Sequence, residues 1–123
     1  MSITLNDFIE KMLFFFPSTK NDYMKCMEDV FEGVETIVIE DVFMPEIINL
    51  IKEEQEINLI WELFDYFEII SNHGDENLRN IFSITVLEIL GNEKIILKKA
   101  QKYMGVTTHL LQREADKALG RQV

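Results

Sequence analysis

Three side chains of the sequence have the chemistry of a general base or a nucleophile: His73, His109 and Cys26. A histidine base needs a partner that orients its ring. His73 lies in a predicted turn and His109 in the first turn of the predicted last helix, where polar residues are ordinary. Cys26 has helical spacing to apolar neighbours and no histidine close by in sequence, which favours a core position over thiolate chemistry. We therefore expect no catalytic residue, and a protein that is not an enzyme.

Patterns for metals and cofactors are equally weak. The chain has one cysteine and neither a His-Glu-x-x-His nor a Glu-x-x-His motif. Asp75 and Asn77 begin like a calcium loop, but Arg79 occupies the third ligand position, so Asp75 is predicted to cap a helix. The five glycines are isolated, which leaves no phosphate-binding loop. We expect no metal, no cofactor and no small-molecule substrate.

Carboxylates are the one abundant chemical group. Residues 1–76 contain 18 Asp/Glu and four Lys, a net charge of −14, whereas residues 77–123 have a net charge of +4. Paired carboxylates can hydrolyse substrates when one has a raised pKa in a cleft, but here they fall on the polar stripes of predicted helices. Two interpretations stay open: a solvated face that keeps the protein soluble, or a surface that a basic partner neutralises. The charge argues against nucleic acid as that partner.

One predicted helix, residues 56–72, positions many of these carboxylates. It is apolar on most sides, which is typical of a central helix. The residues predicted to be buried are Ile57, Ile60, Trp61, Phe64 and Phe67, and the polar stripe is Asn58, Glu62, Asp65 and Glu68. We predict that Glu62, Asp65 and Glu68 are exposed together, and that this stripe and the acidic turn before it bind the partner. The candidate partner-binding residues are Glu62, Asp65, Glu68, Glu53, Glu54 and Glu56.

Caps and chain breakers predict six or seven helices in total. In the N-terminal half, Thr4 and Asp7 begin a helix that Pro17 ends, and a second helix runs to Gly33. Residues 34–41 include a β-branched run but no second strand is evident to pair with it, so we predict a loop or one irregular turn. Helix returns near Pro45.

In the C-terminal half, Asp75 is predicted to cap a helix over 76–90, and Gly91 to separate it from a helix over 93–104. A cap at Thr107 or Thr108 begins the last helix, which ends at Gly120. Four lysines of the helix over 93–104 favour a solvated face that complements the helix C-terminal dipole over phosphate contacts. They are Lys94, Lys98, Lys99 and Lys102.

The fold class that follows is all-α. With 123 residues and 47% hydrophobic side chains, residues 1–123 are expected to form a single-domain helical bundle, with HEAT-like or armadillo-like stacking as an alternative. The longest apolar run, residues 12–16, is far too short to cross a membrane. The N-terminus lacks the pattern of a signal peptide, so we expect a cytoplasmic protein that does not bind membranes.

From about Ile60 to Gly105 the chain resembles a set of small bacterial helical proteins of unknown function. The residues behind this resemblance are Phe64, Phe67, the turn 73–76, Asn80 and the segment 86–91. In size, acidity and helix content the chain also resembles the immunity proteins of contact-dependent growth inhibition and related polymorphic toxin systems. That resemblance implies a cytoplasmic protein that binds and neutralises one cognate toxin domain. From the acidic charge we expect this toxin to be a basic nuclease, because a nuclease must be basic where it holds its substrate. The alternative is a helical-repeat adaptor or scaffold in a complex without a toxin.

Overall fold

The structure is a computed structural model that describes residues 2–29 and 34–121. Two π-helical segments, Ile39–Phe43 and Phe82–Leu87, join shorter helices into continuous ones over residues 34–53 and 76–90. The described residues thus form seven continuous helices, and the predicted all-α fold is confirmed. The α-helices are α1 (Leu5–Phe15), α2 (Lys20–Asp29), α3 (Val34–Val38), α4 (Met44–Glu53), α5 (Ile57–His73), α6 (Glu76–Ile81), α7 (Glu88–Leu90), α8 (Lys94–Gln101) and α9 (Val106–Ala118).

The predicted boundaries of the first helix are confirmed. Thr4 and Asp7 form a reciprocal capping box, because the Asp7 backbone N–H donates to Thr4 Oγ1 and the Thr4 N–H donates to Asp7 Oδ2. Pro17 ends the helix and begins a 3₁₀ turn, Pro17–Thr19, which leads into α2. The predicted stop of the second helix at Gly33 lies outside the described residues.

The prediction of a loop over residues 34–41 is wrong, because this segment is α3 followed by the first π-helical segment. Val34, Val38 and Ile39 are buried, as are Val42 and Phe43. Their spacing places them on one helical face, and burial of that face outweighs the weak preference of β-branched residues for strands. Pro45 lies in the first turn of α4, as predicted.

The core is one hydrophobic cluster that includes residues from Phe8 to Ala115. In α5 the prediction is correct for Ile60, Phe64 and Phe67, which are fully buried. It is wrong for Ile57 and Trp61, which are 38% and 45% exposed. The buried face is instead completed by two residues that the prediction did not name, Leu63 and Ile70.

Non-consecutive helices pack together at the centre of the fold. Among the described elements, α5 packs most extensively against α9, and α4 packs against α8. The hydroxyl groups of Ser71 and Thr108 lie 2.9 Å apart at the buried contact between α5 and α9. The N-terminal segment pairs with the end of α5 through a single β-bridge between Ile3 and Gly74. The stacked HEAT-like arrangement stays a prediction.

The last helix begins differently from the prediction. Gly105 is the N-cap residue of α9, so Thr107 and Thr108 already lie within the first helical turn and do not cap it. Gly120 has φ +75° just after the end of α9, in agreement with the predicted stop. Asp75 caps α6 as predicted, because its Oδ1 accepts the Leu78 N–H at 2.8 Å.

Candidate protein-binding surface

The six acidic residues predicted to bind a partner fall into two groups. The side chains of Glu54 and Glu68 form hydrogen bonds within the protein. The remaining four side chains are exposed and form no hydrogen bond or ion pair with any described residue. These four are Glu53, Glu56, Glu62 and Asp65.

Glu68 projects from α5 to the N-terminus of α9, where it takes the place of a capping side chain. Its Oε2 accepts the Thr107 N–H at 3.0 Å, and its Oε1 accepts both the N–H and the hydroxyl of Thr108 at 2.8 Å. These backbone donors have no partner within the helix, and the helix dipole favours a negative charge there. The prediction that Glu68 is exposed together with Glu62 and Asp65 is therefore wrong, since Glu68 is half-buried.

The hydrogen bonds to Glu68 also determine its protonation. Partial burial of the carboxylate raises its pKa, but hydrogen bonds from Thr108, Thr107 and Asn72 outweigh this cost and lower the pKa to about 2. Glu68 is therefore ionised at neutral pH. Its charge is directed at the interior contact between α5 and α9, which leaves it poorly placed to contact a partner.

Glu54 holds the turn between α4 and α5 in place. Its Oε2 accepts hydrogen bonds from Lys102 Nζ at 2.5 Å and from Tyr103 Oη at 2.7 Å, and Lys99 Nζ lies 3.8 Å from its Oε1. The bond from Lys102, followed by that from Tyr103, lowers the pKa of Glu54. The predicted solvated face of lysines is thus only partly correct, because Lys99 and Lys102 are bound to the turn.

Trp61 is the residue of this surface that the sequence prediction missed. Its indole packs edge-on against Tyr103 with ring centroids 4.7 Å apart, yet 45% of the side chain is exposed. On a helical projection Trp61 lies only about 40° from Asp65, since each residue advances about 100°. This proximity to the polar stripe could have indicated, from the sequence alone, that Trp61 is exposed. We define the acidic face as Trp61, Glu62 and Asp65.

A groove lies beside the acidic face, between residues 16–18, α4 and the start of α5. Its volume is about 360 Å³. Glu46, Glu53 and Glu56 are among its lining residues. We define this acidic groove by its full lining: Phe15, Phe16, Pro17, Ser18, Glu46, Asn49, Leu50, Glu53, Gln55, Glu56 and Leu59. An adjoining depression shares Gln55, Glu56 and Leu59 with the groove and extends to Glu62, so the groove and the acidic face are continuous.

Residues 9–118 match a family described as Domain of unknown function (DUF7674). The chain belongs to this family. A comparison with curated proteins and with solved structures finds no match. The resemblance of this DUF7674 domain to immunity proteins therefore stays a prediction.

The residues with catalytic or nucleophilic chemistry lie on three different helices of the DUF7674 domain. His73 is the last residue of α5, His109 lies in α9 and Cys26 in α2. In the described part of the chain, no group of three or more His, Cys, Asp or Glu side chains is arranged to hold a metal ion. Over the same residues, no helix is both long and apolar enough to cross a membrane.

A second polar cluster lies near the C-terminal end of α9, and the sequence analysis did not predict it. Asp116 is 1% exposed, and its Oδ1 accepts hydrogen bonds from Arg121 at 2.9 Å and from Gln112 at 3.1 Å. Gly91 lies beside it, and a Cβ at this position would clash with Asp116 Oδ1 and displace the carboxylate from its partners. This cluster is an internal ion pair that ties the chain after α9 to the fold.

Proposed function

We propose that this DUF7674 domain is an immunity protein that binds and neutralises a basic toxin domain, with a nuclease as the expected toxin. The observation that supports the proposal best is the acidic face: an exposed tryptophan flanked by two carboxylates that have no cationic partner among the described residues. Tryptophan is enriched among the residues that dominate binding energy at protein interfaces.

The electrostatic argument starts from the substrate of such a toxin. A nuclease must be basic where it holds its substrate, because nucleic acid binding depends on Lys and Arg contacts to phosphates. Residues 1–76, which include the acidic face, have a net charge of −14. An acidic protein can occupy the basic surface, exclude the substrate and accelerate association by electrostatic steering.

The structure also removes one residue from the proposed interface. Glu68 lies on the same helix as Glu62 and Asp65, but its carboxylate caps α9. Reversal of its charge would destabilise the fold, so a loss of binding could not be assigned to the interface. The informative variant is therefore the double reversal Glu62→Lys/Asp65→Lys.

The experiment uses the toxin domain encoded by the neighbouring open reading frame. We expect a large secreted protein with a variable C-terminal domain directly upstream, and we expect the DUF7674 domain to restore growth when this C-terminal domain is expressed in the same cells. Glu62→Lys/Asp65→Lys should remain folded, lose protection and bind the purified toxin domain roughly 10- to 100-fold more weakly, mostly through a slower association rate. Raised salt should weaken the wild-type complex.

The matched control is Glu10→Lys/Glu114→Lys, which changes the net charge equally at two exposed positions within α1 and α9, outside the acidic face and away from the helix N-termini. It should protect cells as well as wild type does. Equal protection by both double variants would contradict a role for the acidic face. A neighbouring metabolic operon without any toxin gene would instead favour the adaptor function.

A further inference from the structure

We infer that the acidic groove binds a short basic segment of the partner, in which one apolar side chain is flanked by Lys or Arg residues. This inference rests on the proposed function, because it identifies which part of a basic partner the protein recognises. It extends the interface from the acidic face to a concave site with its own apolar and charged contacts.

The apolar part of the groove comes from aromatic and aliphatic side chains at its base. Phe16, Leu50 and Leu59 belong to or pack against the hydrophobic core and also line the groove. A volume of about 360 Å³ is within the range of small ligand pockets. An apolar side chain of the partner placed here would be shielded from water by the turn after α1 and by α4.

The charged part of the groove comes from one face of α4 and the start of α5. Glu46, Asn49 and Glu53 are separated by three and four residues, so they lie along one helical face. Glu56 faces the groove from the other side of the turn. Among the described residues, no Lys or Arg lines this groove. Lys11 lies 5.2 Å above the ring of Phe15, a groove residue, but its side chain lines a neighbouring depression with Asp7 and Glu10. Basic side chains of a partner would therefore supply the positive charge that pairs with these carboxylates.

The turn that presents these carboxylates is held in a defined conformation. Glu54 has φ +49° and ψ +43°, a left-handed conformation that is unfavourable for a residue with a side chain. Lys102 and Tyr103, in the segment that follows α8, fix its carboxylate. Because the turn is pinned from outside the groove, Glu53 and Glu56 are positioned before a partner arrives, which reduces the ordering cost of binding.

Asn49 offers a direct test because it is exposed and lies between Glu46 and Glu53. In Asn49→Arg, the new guanidinium can pair with the carboxylates of Glu46 and Glu53 within α4, which reduces the negative charge of the groove by one unit while supporting the helix. Asn49→Glu adds a fourth carboxylate. The control is Asn80→Arg, the same substitution at an exposed position of α6, outside the groove.

The probe is a blocked synthetic peptide, Arg-Lys-Leu-Lys-Arg, titrated into the isotope-labelled protein at low ionic strength and followed by NMR. The amides of Ser18, Asn49 and Leu59 should shift most. Asn49→Arg should weaken binding roughly fivefold, Asn49→Glu should strengthen it, and Asn80→Arg should change it little. Replacing the central Leu of the peptide by Ser should weaken binding roughly tenfold, because the apolar contact is lost.

Each alternative outcome is distinct. Peptide shifts confined to Trp61 and Asp65 would overturn the groove inference and leave the proposed function standing. Absence of binding, or equal binding of the Leu and Ser peptides, would also overturn the inference, whereas the growth assay decides the proposed function independently. Self-association that Asn49→Arg abolishes would assign the groove to a second copy of this chain and would refute a basic partner segment.

Discussion

The carboxylate of Glu68 should stabilise the fold at neutral pH although it lies on the polar side of its helix. The perturbation is Glu68→Gln, which keeps the size of the side chain and removes its charge. A glutamine can present one oxygen to the N–H of Thr107 or Thr108, but its amide nitrogen would then face a backbone donor. One donor at the start of α9 would lose its partner, and the favourable interaction with the helix dipole would weaken.

The magnitude follows from the pKa. A pKa of about 2, against an ordinary value of 4.5, corresponds to at most about 3 kcal/mol of stabilisation by the ionised form. Because Glu68 is only partly buried, solvent screening reduces the expected effect to about 1–2 kcal/mol. This range agrees with the loss of about 1 kcal/mol that is typical when a helix N-cap is removed.

The sign of the pH dependence is determined by the lowered pKa. The stabilisation is fully present above the pKa of the unfolded chain, near 4.5, and is lost as the pH falls through the folded pKa of about 2. Urea unfolding of wild type and Glu68→Gln should therefore differ by about 1–2 kcal/mol at pH 7 and converge as the pH approaches 2. The control Glu62→Gln should show no such loss of stability at pH 7, because Glu62 is exposed and its side chain forms no hydrogen bond or ion pair with any described residue.

Gly105 provides an independent check of the same contact. A Cβ at Gly105 would lie about 2.4 Å from Glu68 Cδ, and this carboxylate is fixed by its hydrogen bonds to α9. Gly105→Ala should destabilise the wild type, but it should cost much less in a Glu68→Ala background, where the obstructing carboxylate is gone. Additive effects of the two substitutions, together with a pH-independent effect of Glu68→Gln, would refute the capping role.

Two further predictions concern the core and the ion pair at the end of α9. Phe64→Ala should lower the free energy of unfolding in urea by about 3–5 kcal/mol, because the ring is fully buried. Trp61→Ala should lower it by less than about 2 kcal/mol, because much of the indole is exposed. Equal losses would show that Trp61 is a core residue. Arg121→Ala should cost about 3 kcal/mol because the buried Asp116 loses its charged partner. Asp116→Asn in the Arg121→Ala background should recover part of that loss, and failure to do so would contradict the ion pair as the cause.

Local signals predicted much of the fold. The capping residues Thr4 and Asp75 and the chain breakers Pro17 and Gly120 act through neighbours within a few positions, so the sequence alone specifies them. Residues 34–41 could not be assigned in this way. Their β-branched side chains favour strand locally, and only the burial of Val38 and Ile39 against the rest of the core makes the helix more stable.

The candidate surface could be predicted only in part, for a related reason. Helical periodicity correctly placed Glu62 and Asp65 on the polar side of α5, but it also placed Glu68 there. Periodicity describes one helix at a time, and the partner of Glu68 is the start of α9, about 40 positions later in the chain. Hydrophobicity likewise assigned Trp61 to the core, since it cannot show that packing against Tyr103 leaves much of the side chain exposed.

The pairing of charges explains why an acidic surface remains after folding. Residues 77–123 have a net positive charge, but several of their cations are bound within the protein: Lys99 and Lys102 to Glu54, and Arg121 to Asp116. These cations satisfy carboxylates that hold turns and helix ends, so they do not neutralise the acidic face or the acidic groove. Added salt should then reduce repulsion among the unpaired carboxylates of the free protein, while it weakens their attraction to a basic partner. A merely solvated face would show the first effect without the second, and this difference separates the two interpretations of the acidic charge.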